Sequence, residues 1–142
     1  MSESSEAVHE GGCLCGAIRY RLRGPVSWVG HCHCIQCRRA AGSPAITWLT
    51  LPKAHFEVTK GALHLFRSSD HGTRGLCANC GSPITFETTR APSEVDVTVA
   101  TLDRPEDFPP RARVWASEQI PWLDLDRHLP SWPKNSSAAG PD

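Results

Sequence analysis

The sequence predicts a single, mainly β domain, and three observations support this prediction. The length of 142 residues is that of one domain, and a chain of this size buries roughly 68–70 % of its unfolded surface. Twelve prolines and eleven glycines make the chain rich in turns, which favours β structure over a helix bundle. Apolar side chains mostly recur at every second residue, which is the period of a strand with one buried face.

Two segments alternate most clearly. Residues 18–23 read Ile-Arg-Tyr-Arg-Leu-Arg, and residues 95–99 read Val-Asp-Val-Thr-Val. Other segments are rich in Val, Ile, Trp, Thr and Phe, and Gly or Pro lies near most of them. These further strands are predicted at 26–32, 45–51, 63–67, 83–88 and 111–116. Seven or eight short strands of this kind predict an all-β domain of two packed sheets.

Helical structure is predicted at two places only. Residues 35–41 read Ile-Gln-Cys-Arg-Arg-Ala-Ala and are followed by Gly42, a residue that commonly ends helices in the left-handed conformation. A second short helix is predicted near 119–125. Residues 1–10 and 133–142 are polar and are predicted to be a disordered arm and a disordered tail. The domain itself is predicted at 11–132.

Composition and charge bound the classes of function. The chain has 15 basic and 15 acidic residues, and this balance argues against a large nucleic-acid interface and against docking on an anionic membrane. No apolar run approaches the ~20 residues that a membrane span needs, and the acidic N-terminus does not resemble a signal peptide. Seven cysteines without an export signal disfavour a disulfide framework and favour metal or thiol chemistry. The chain is therefore predicted to be cytoplasmic, and its oligomeric state stays open.

The cysteines form three groups with the spacing of metal ligands. In an extended segment, residues two apart lie on the same face, so a C-x-C pair can present two sulfurs to one ion. Zinc takes four protein ligands in structural sites, and three plus an open position in catalytic sites. Seven cysteines divide as four plus three, which predicts two zinc ions per chain. The groups are an N-terminal pair (Cys13, Cys15), a triad (Cys32, Cys34, Cys37) and a C-terminal pair (Cys77, Cys80).

Spacing alone leaves the division of the cysteines open. One division joins the N-terminal and C-terminal pairs into a closed site and leaves the triad as an open one. A second joins Cys34 and Cys37 to the C-terminal pair, as in a zinc ribbon. A third places all seven in structural sites, with His31 or His33 as an eighth ligand, although an extended strand would point both histidines away from Cys32. We favour the first division because the triad is local and needs no distant partner.

The motifs around these cysteines resemble a known family. The segments GGCLCGAIRY, HCHCIQCRRAAGS, GLCANCGSPI and ATLDRPEDFPPRARVW are similar to the glutathione-dependent formaldehyde-activating enzymes, a family that includes the centromere protein V-like proteins. The similarity runs from about Gly11 to Trp132. It implies a β-tent fold of packed antiparallel sheets, a structural zinc on the two cysteine pairs and a catalytic zinc on the triad. Leu76 departs from the family, which usually has an aromatic residue there.

The triad's chemistry favours a thiol as substrate. Three thiolates and one Zn²⁺ carry a net charge of −1, so such a zinc is a weak activator of water. A soft fourth ligand suits the site better, and a substrate thiol would lose its proton on binding. We therefore predict a zinc-dependent carbon–sulfur lyase or thiol–aldehyde adduct synthase that works through a zinc-bound thiolate, with glutathione as the small thiol that the resemblance implies. The alternatives are a non-catalytic zinc module for protein or nucleic acid, and a metal or redox sensor.

Four further residues near the triad are candidates for supporting roles. Arg38 and Arg39 follow the last cysteine of the triad and could offset its negative charge or hold a substrate carboxylate. Gln36 and Ser43 could donate hydrogen bonds to a zinc-bound sulfur or to the substrate.

Overall fold

The protein is described by a computed structural model that covers residues 7–135, without the side chains of residues 125 and 126. Within that range it has ten strands, one α-helix and five short 3-10 helices. The strands are β1 (Val8–Gly12), β2 (Arg19–Arg23), β3 (Trp28–Cys32), β4 (Ile46–Pro52), β5 (Phe56–Lys60), β6 (His64–Arg67), β7 (Gly72–Leu76), β8 (Pro83–Thr88), β9 (Glu94–Thr98) and β10 (Arg113–Val114). The α-helix, α1, spans Ile35–Ala41, and the 3-10 helices span Lys53–His55, Val99–Thr101, Pro105–Asp107, Ala116–Glu118 and Leu123–His128.

The strands form two sheets. A three-stranded sheet has the order β1-β2-β5, and a seven-stranded sheet has the order β10-β3-β4-β9-β8-β7-β6. Neighbouring strands are antiparallel except β10, which pairs with β3 in parallel. The predicted mainly β fold of packed sheets with a short helix is confirmed.

The main core lies between the two sheets. Tyr20 and Leu22 of β2 are fully buried there against Leu49 and Leu51 of β4. Residues of β4 alternate between the faces of the seven-stranded sheet, so Trp48 lies on the opposite face, where it packs in a second cluster with Cys32 and Cys37. This second face carries α1 and the candidate site.

The helix α1 has the bounds that the sequence predicts. It begins after Cys34, whose Sγ accepts a hydrogen bond from the backbone N–H of Cys37. It ends at Gly42, which is left-handed at φ 62° and donates its N–H to the carbonyl oxygen of Arg38. Glycine reaches this conformation without steric cost, which is why the helix stops at this residue.

The structure corrects the N-terminal boundary. Strand β1 begins at Val8, inside the arm predicted at 1–10. Strand β1 is a polar edge strand, and its Glu10 lies opposite Arg21 of β2. Its pairing depends on β2 rather than on its own apolar pattern. Residues 1–6 of the arm and 136–142 of the predicted tail lie outside the described residues.

Two further strands, β5 and β7, are absent from the prediction. Strand β7 contains Gly72, Arg74 and Gly75, a composition that is depleted in strands, and it is held by β6 and β8 on its two sides. Tertiary pairing therefore overrides its weak local preference.

The C-terminal part also departs from the prediction. The strand predicted at 111–116 is only two residues long and is followed by Trp115 at φ 57°. The helix predicted near 119–125 is replaced by two 3-10 helices on either side of Pro121, which lacks the N–H that a continuous helix needs. No helix among residues 7–135 has the length and apolar character required to cross a membrane.

Candidate functional site

The two cysteine pairs meet in one cluster. Their four Sγ atoms lie within 4.8 Å of one another. The Sγ of Cys15 lies 3.7 Å from that of Cys13 and 3.8 Å from that of Cys77. We call Cys13, Cys15, Cys77 and Cys80 the four-cysteine cluster.

Hydrogen bonds from nitrogen orient the sulfurs of this cluster. N–H donors stabilise a thiolate more than a neutral thiol, because the acceptor then carries a full negative charge. The donors are the backbone N–H of Ile18 to Cys13 at 3.2 Å, the backbone N–H of Cys80 to Cys77 at 3.4 Å and the side-chain amide of Asn79 to Cys15 at 3.2 Å.

The four-cysteine cluster connects the two sheets. Cys13 and Cys15 lie in the turn between β1 and β2, whereas Cys77 and Cys80 lie in the turn between β7 and β8. Gly81, which follows the second pair, is left-handed at φ 81° and donates its N–H to the carbonyl oxygen of Cys77. A metal held here would cross-link two turns that are far apart in sequence.

The triad forms the second cluster. Cys32 ends β3, Cys34 caps α1 and Cys37 lies in the first turn of that helix. Their three sulfurs also lie within 4.8 Å of one another, and Cys32 and Cys37 are buried. The local sequence therefore assembles the triad without help from a distant segment.

Each cluster contains a thiol of lowered pKa. A hydrogen bond from the Cys32 thiol lowers the pKa of Cys37 to about 5, and burial opposes this effect. The same contact and burial raise the pKa of Cys32. Hydrogen bonds from Ser82 lower the pKa of Cys80 to about 5. Hydrogen bonding within each cluster therefore favours deprotonation of at least one thiol, the form that binds a cation.

The donor atoms of both clusters fit zinc. A tetrahedral site with Zn–S bonds of about 2.3 Å places its sulfurs roughly 3.8 Å apart, which matches the distances of Cys15 from Cys13 and Cys77. Soft thiolates select zinc over hard cations such as Mg²⁺. The four-cysteine cluster offers a complete tetrahedral set, and the triad offers three ligands and an open position.

The triad borders a cleft of about 780 Å³. This volume lies in the range of small-molecule sites, roughly 300–1,000 Å³. Strand register builds one wall, because residues directly opposite each other in neighbouring strands share a face. The row runs across five strands through Trp28, Thr50, Asp96, Phe86 and Arg74.

Asp96 is the carboxyl group of this row. Thr50 donates its hydroxyl hydrogen bond to Oδ1 of Asp96 at 2.6 Å. Burial raises the pKa of Asp96 to about 6, with smaller contributions from the charges of Glu94 and Cys37. The cleft therefore contains a carboxyl group that can gain and lose a proton near neutral pH.

Comparison with known proteins agrees with this geometry. The sequence profile of the glutathione-dependent formaldehyde-activating enzyme family matches residues 8–118. The chain belongs to this family. A Halomonas elongata protein that bears the same family name is 27 % identical over 143 residues, covering 91 % of each chain. The crystal structure of a Rhodobacter sphaeroides protein is 25 % identical with a TM-score of 0.56, covering 66 % of this chain and 87 % of that one.

The seven cysteines of this family member are grouped as the first of the three divisions expects. The zinc-ribbon division is not seen, because the C-terminal pair lies with Cys13 and Cys15. Neither histidine of the HCHC segment joins a cluster of ligand atoms among the described residues. His31 bonds instead to the hydroxyl of Thr47 at 2.8 Å, and the His33 ring is buried without a hydrogen-bond partner.

The four candidates for supporting roles lie in different places in the structure. Gln36 lines the cleft. Ser43 donates its hydroxyl to the carbonyl oxygen of Ala45 rather than to a cysteine. The residues that the structure places along the cleft do not include Arg38 and Arg39.

Arginine does reach the triad, but from another strand. Arg74 of β7 donates a hydrogen bond from Nη2 to Sγ of Cys37 at 3.9 Å. Sequence reasoning missed both Arg74 and Asp96. Local signals for them are weak, because each becomes part of the site only through strand pairing.

Proposed function

We propose that this chain joins a small thiol to an aldehyde, or cleaves the same carbon–sulfur bond, at a zinc site formed by the triad. The proposal rests on the contrast in ligand number, with three sulfurs beside a cleft and four at a sheet junction. Cys32, Cys34 and Cys37 would hold a catalytic zinc, and the four-cysteine cluster a structural one. The family name supports glutathione as the thiol and formaldehyde as the aldehyde.

The triad's charge favours thiol chemistry over hydrolysis. A bound zinc would lower the pKa of a substrate thiol, and the three thiolates that hold it leave a net charge of −1, which suits water activation poorly. A site of this kind needs its cysteines free, and none of the seven forms a disulfide. It also fits the predicted cytoplasmic location, since a reducing compartment preserves thiols.

The cleft offers what a small peptide thiol requires. Trp28, Trp48 and Phe86 line it with aromatic surface, and Arg74 adds a positive charge. Pockets that combine apolar walls with a few placed polar groups are typical of small-molecule sites.

Asp96 is the inferred carrier of the proton. The thiol loses its S–H proton to this carboxylate, the sulfur lone pair attacks the carbonyl carbon, and the C=O π pair moves onto oxygen. The resulting alkoxide takes the proton back, so that thiol and aldehyde give a hemithioacetal with no net oxidation. The reverse sequence cleaves the carbon–sulfur bond.

Exchange spectroscopy by NMR tests the function directly. The zinc-loaded protein should accelerate interconversion of glutathione plus formaldehyde with S-hydroxymethylglutathione. Cys37→Ser should abolish the acceleration, and the control Arg23→Met, at an exposed position of β2, should keep it. Absence of acceleration would overturn the proposal, and absence of glutathione binding as well would favour a non-catalytic zinc module.

A further inference from the structure

The Arg74 guanidinium is buried beside the triad. Arg74 is 9 % exposed, and its Cζ lies 5.0 Å from the centroid of the Phe86 ring. The cation–π contact and the strand pairing of Arg74 with Phe86 fix the side chain over the cleft. Its Nη2 points to Sγ of Cys37.

This buried cation lacks a carboxylate partner. Among residues 7–135, no carboxylate oxygen lies within 4 Å of its nitrogens. Buried charges are usually paired, because removal from water is costly. Of the three acids along the cleft, Asp96 accepts a hydrogen bond from Thr50 and Glu118 accepts one from the backbone N–H of Ile35, and Asp70 forms no ion pair with Arg74. The Sγ of Cys37 is therefore the group that Arg74 faces in place of a carboxylate.

The guanidinium has donors left over. It carries five N–H groups in a rigid planar fork, and one of them is directed at Cys37 in the structure. Arg74 also lines the cleft, so donors that Cys37 does not use face the space in which a substrate would bind beside the triad. A fixed donor next to developing negative charge can stabilise it without reorganising.

We propose that Arg74 is the oxyanion donor of the site. The inference rests on the proposed function. When a thiolate adds to an aldehyde carbon, the new C–S bond leaves a negative charge on the former carbonyl oxygen, one bond away from the carbon that carries sulfur. The guanidinium donates an N–H hydrogen bond to that alkoxide before it takes a proton. In cleavage it stabilises the same alkoxide after the hydroxyl proton has left.

A matched pair of ligands tests the role without turnover. Glutathione sulfonate carries anionic oxygens on its sulfur, and S-methylglutathione carries a neutral methyl group there. Calorimetry on the zinc-loaded protein should show that Arg74→Met weakens binding of the sulfonate about tenfold or more, the effect of a charged hydrogen bond. Binding of S-methylglutathione should change little. Arg23→Met, at the exposed end of β2 in the three-stranded sheet, is the control and should leave both affinities unchanged.

Kinetics and metal content complete the test. Arg74→Met should lower the rate of adduct exchange by about 100-fold. Arg74→Lys keeps the charge but loses the planar fork of donors, so its rate should lie between those of the natural protein and Arg74→Met. Zinc content should stay at two ions per chain. An unchanged rate and an unchanged preference for the sulfonate would overturn the inference. Parallel loss of zinc and of S-methylglutathione binding would also overturn it, since Arg74 would then only hold the site together.

The outcomes also separate this inference from the proposed function. If the natural protein fails to accelerate exchange but shows an Arg74-dependent preference for the sulfonate, the proposed function is wrong and the anion-binding role of Arg74 is supported.

Discussion

The four-cysteine cluster and the triad use the same ligand atom in two different settings. The four-cysteine cluster joins turns from both sheets and offers a complete tetrahedral set. The triad comes from one strand end and one helical turn, borders a cleft and receives a hydrogen bond from a buried arginine. Ligand number and surroundings, rather than ligand type, therefore distinguish the cluster suited to stability from the cluster suited to chemistry.

The largest expected effect follows from removing one ligand of each cluster. Cys80→Ser should prevent stable folding, because a structural zinc contributes on the order of 10 kcal/mol, comparable with the whole stability of a domain. Cys37→Ser should keep the fold at a cost of about 1–3 kcal/mol and lose one of two zinc ions. Elemental analysis and thermal melts followed by circular dichroism measure both effects. Equal unfolding by the two substitutions would mean that the triad is structural as well.

An intermediate effect is expected at the buried carboxyl group of the cleft. Because burial raises the pKa of Asp96 to about 6, its ionised form destabilises the fold. This destabilisation is absent when the pH is below the pKa of Asp96 in the unfolded chain, about 3.9. It is complete when the pH is above the pKa of Asp96 in the folded protein. Asp96→Asn should therefore stabilise the protein near pH 7 by up to about 3 kcal/mol, while slowing adduct exchange. The advantage should vanish near pH 4.

Urea unfolding of both proteins measures this difference, which should shrink as the pH falls from 7, over the range in which zinc analysis shows two ions in each protein. Asp103→Asn is the control with opposite sign, since the hydrogen bond from exposed Arg19 lowers the pKa of Asp103. The Asp103→Asn variant should be slightly less stable than the natural protein at neutral pH. A destabilised Asp96→Asn at neutral pH would show that its carboxylate is needed for packing.

The smallest loss of stability is expected from substituting two glycines, one beside each cluster. Gly81 and Gly42 are left-handed at φ 81° and 62°, and an added Cβ would meet no atom within 4 Å at either position. Alanine at each should cost about 1 kcal/mol from backbone strain alone, with two zinc ions retained. Equilibrium unfolding with parallel zinc analysis tests this. A much larger loss for Gly81→Ala would show that the turn conformation and metal binding of the four-cysteine cluster are coupled.

The sequence alone determines the parts of this protein that depend on local spacing. Alternation predicts β2 and β9, composition predicts β4, and the seven residues before Gly42 predict α1 with its observed bounds. The triad is also local, because Cys34 and Cys37 lie within one helical turn and Cys32 lies two residues earlier. Short-range geometry leaves little freedom at these positions, so residue order is sufficient.

Tertiary structure decided the remainder of the site. Strands β1 and β7 form mainly because neighbours supply their hydrogen bonds, and their own patterns are weak or polar. The two cysteine pairs are 62 residues apart between Cys15 and Cys77, and only the packing of the two sheets brings them together. The same holds for Arg74 and Asp96. A shift of one residue in register would turn each side chain to the other face of the sheet, and no local pattern in the sequence records that register.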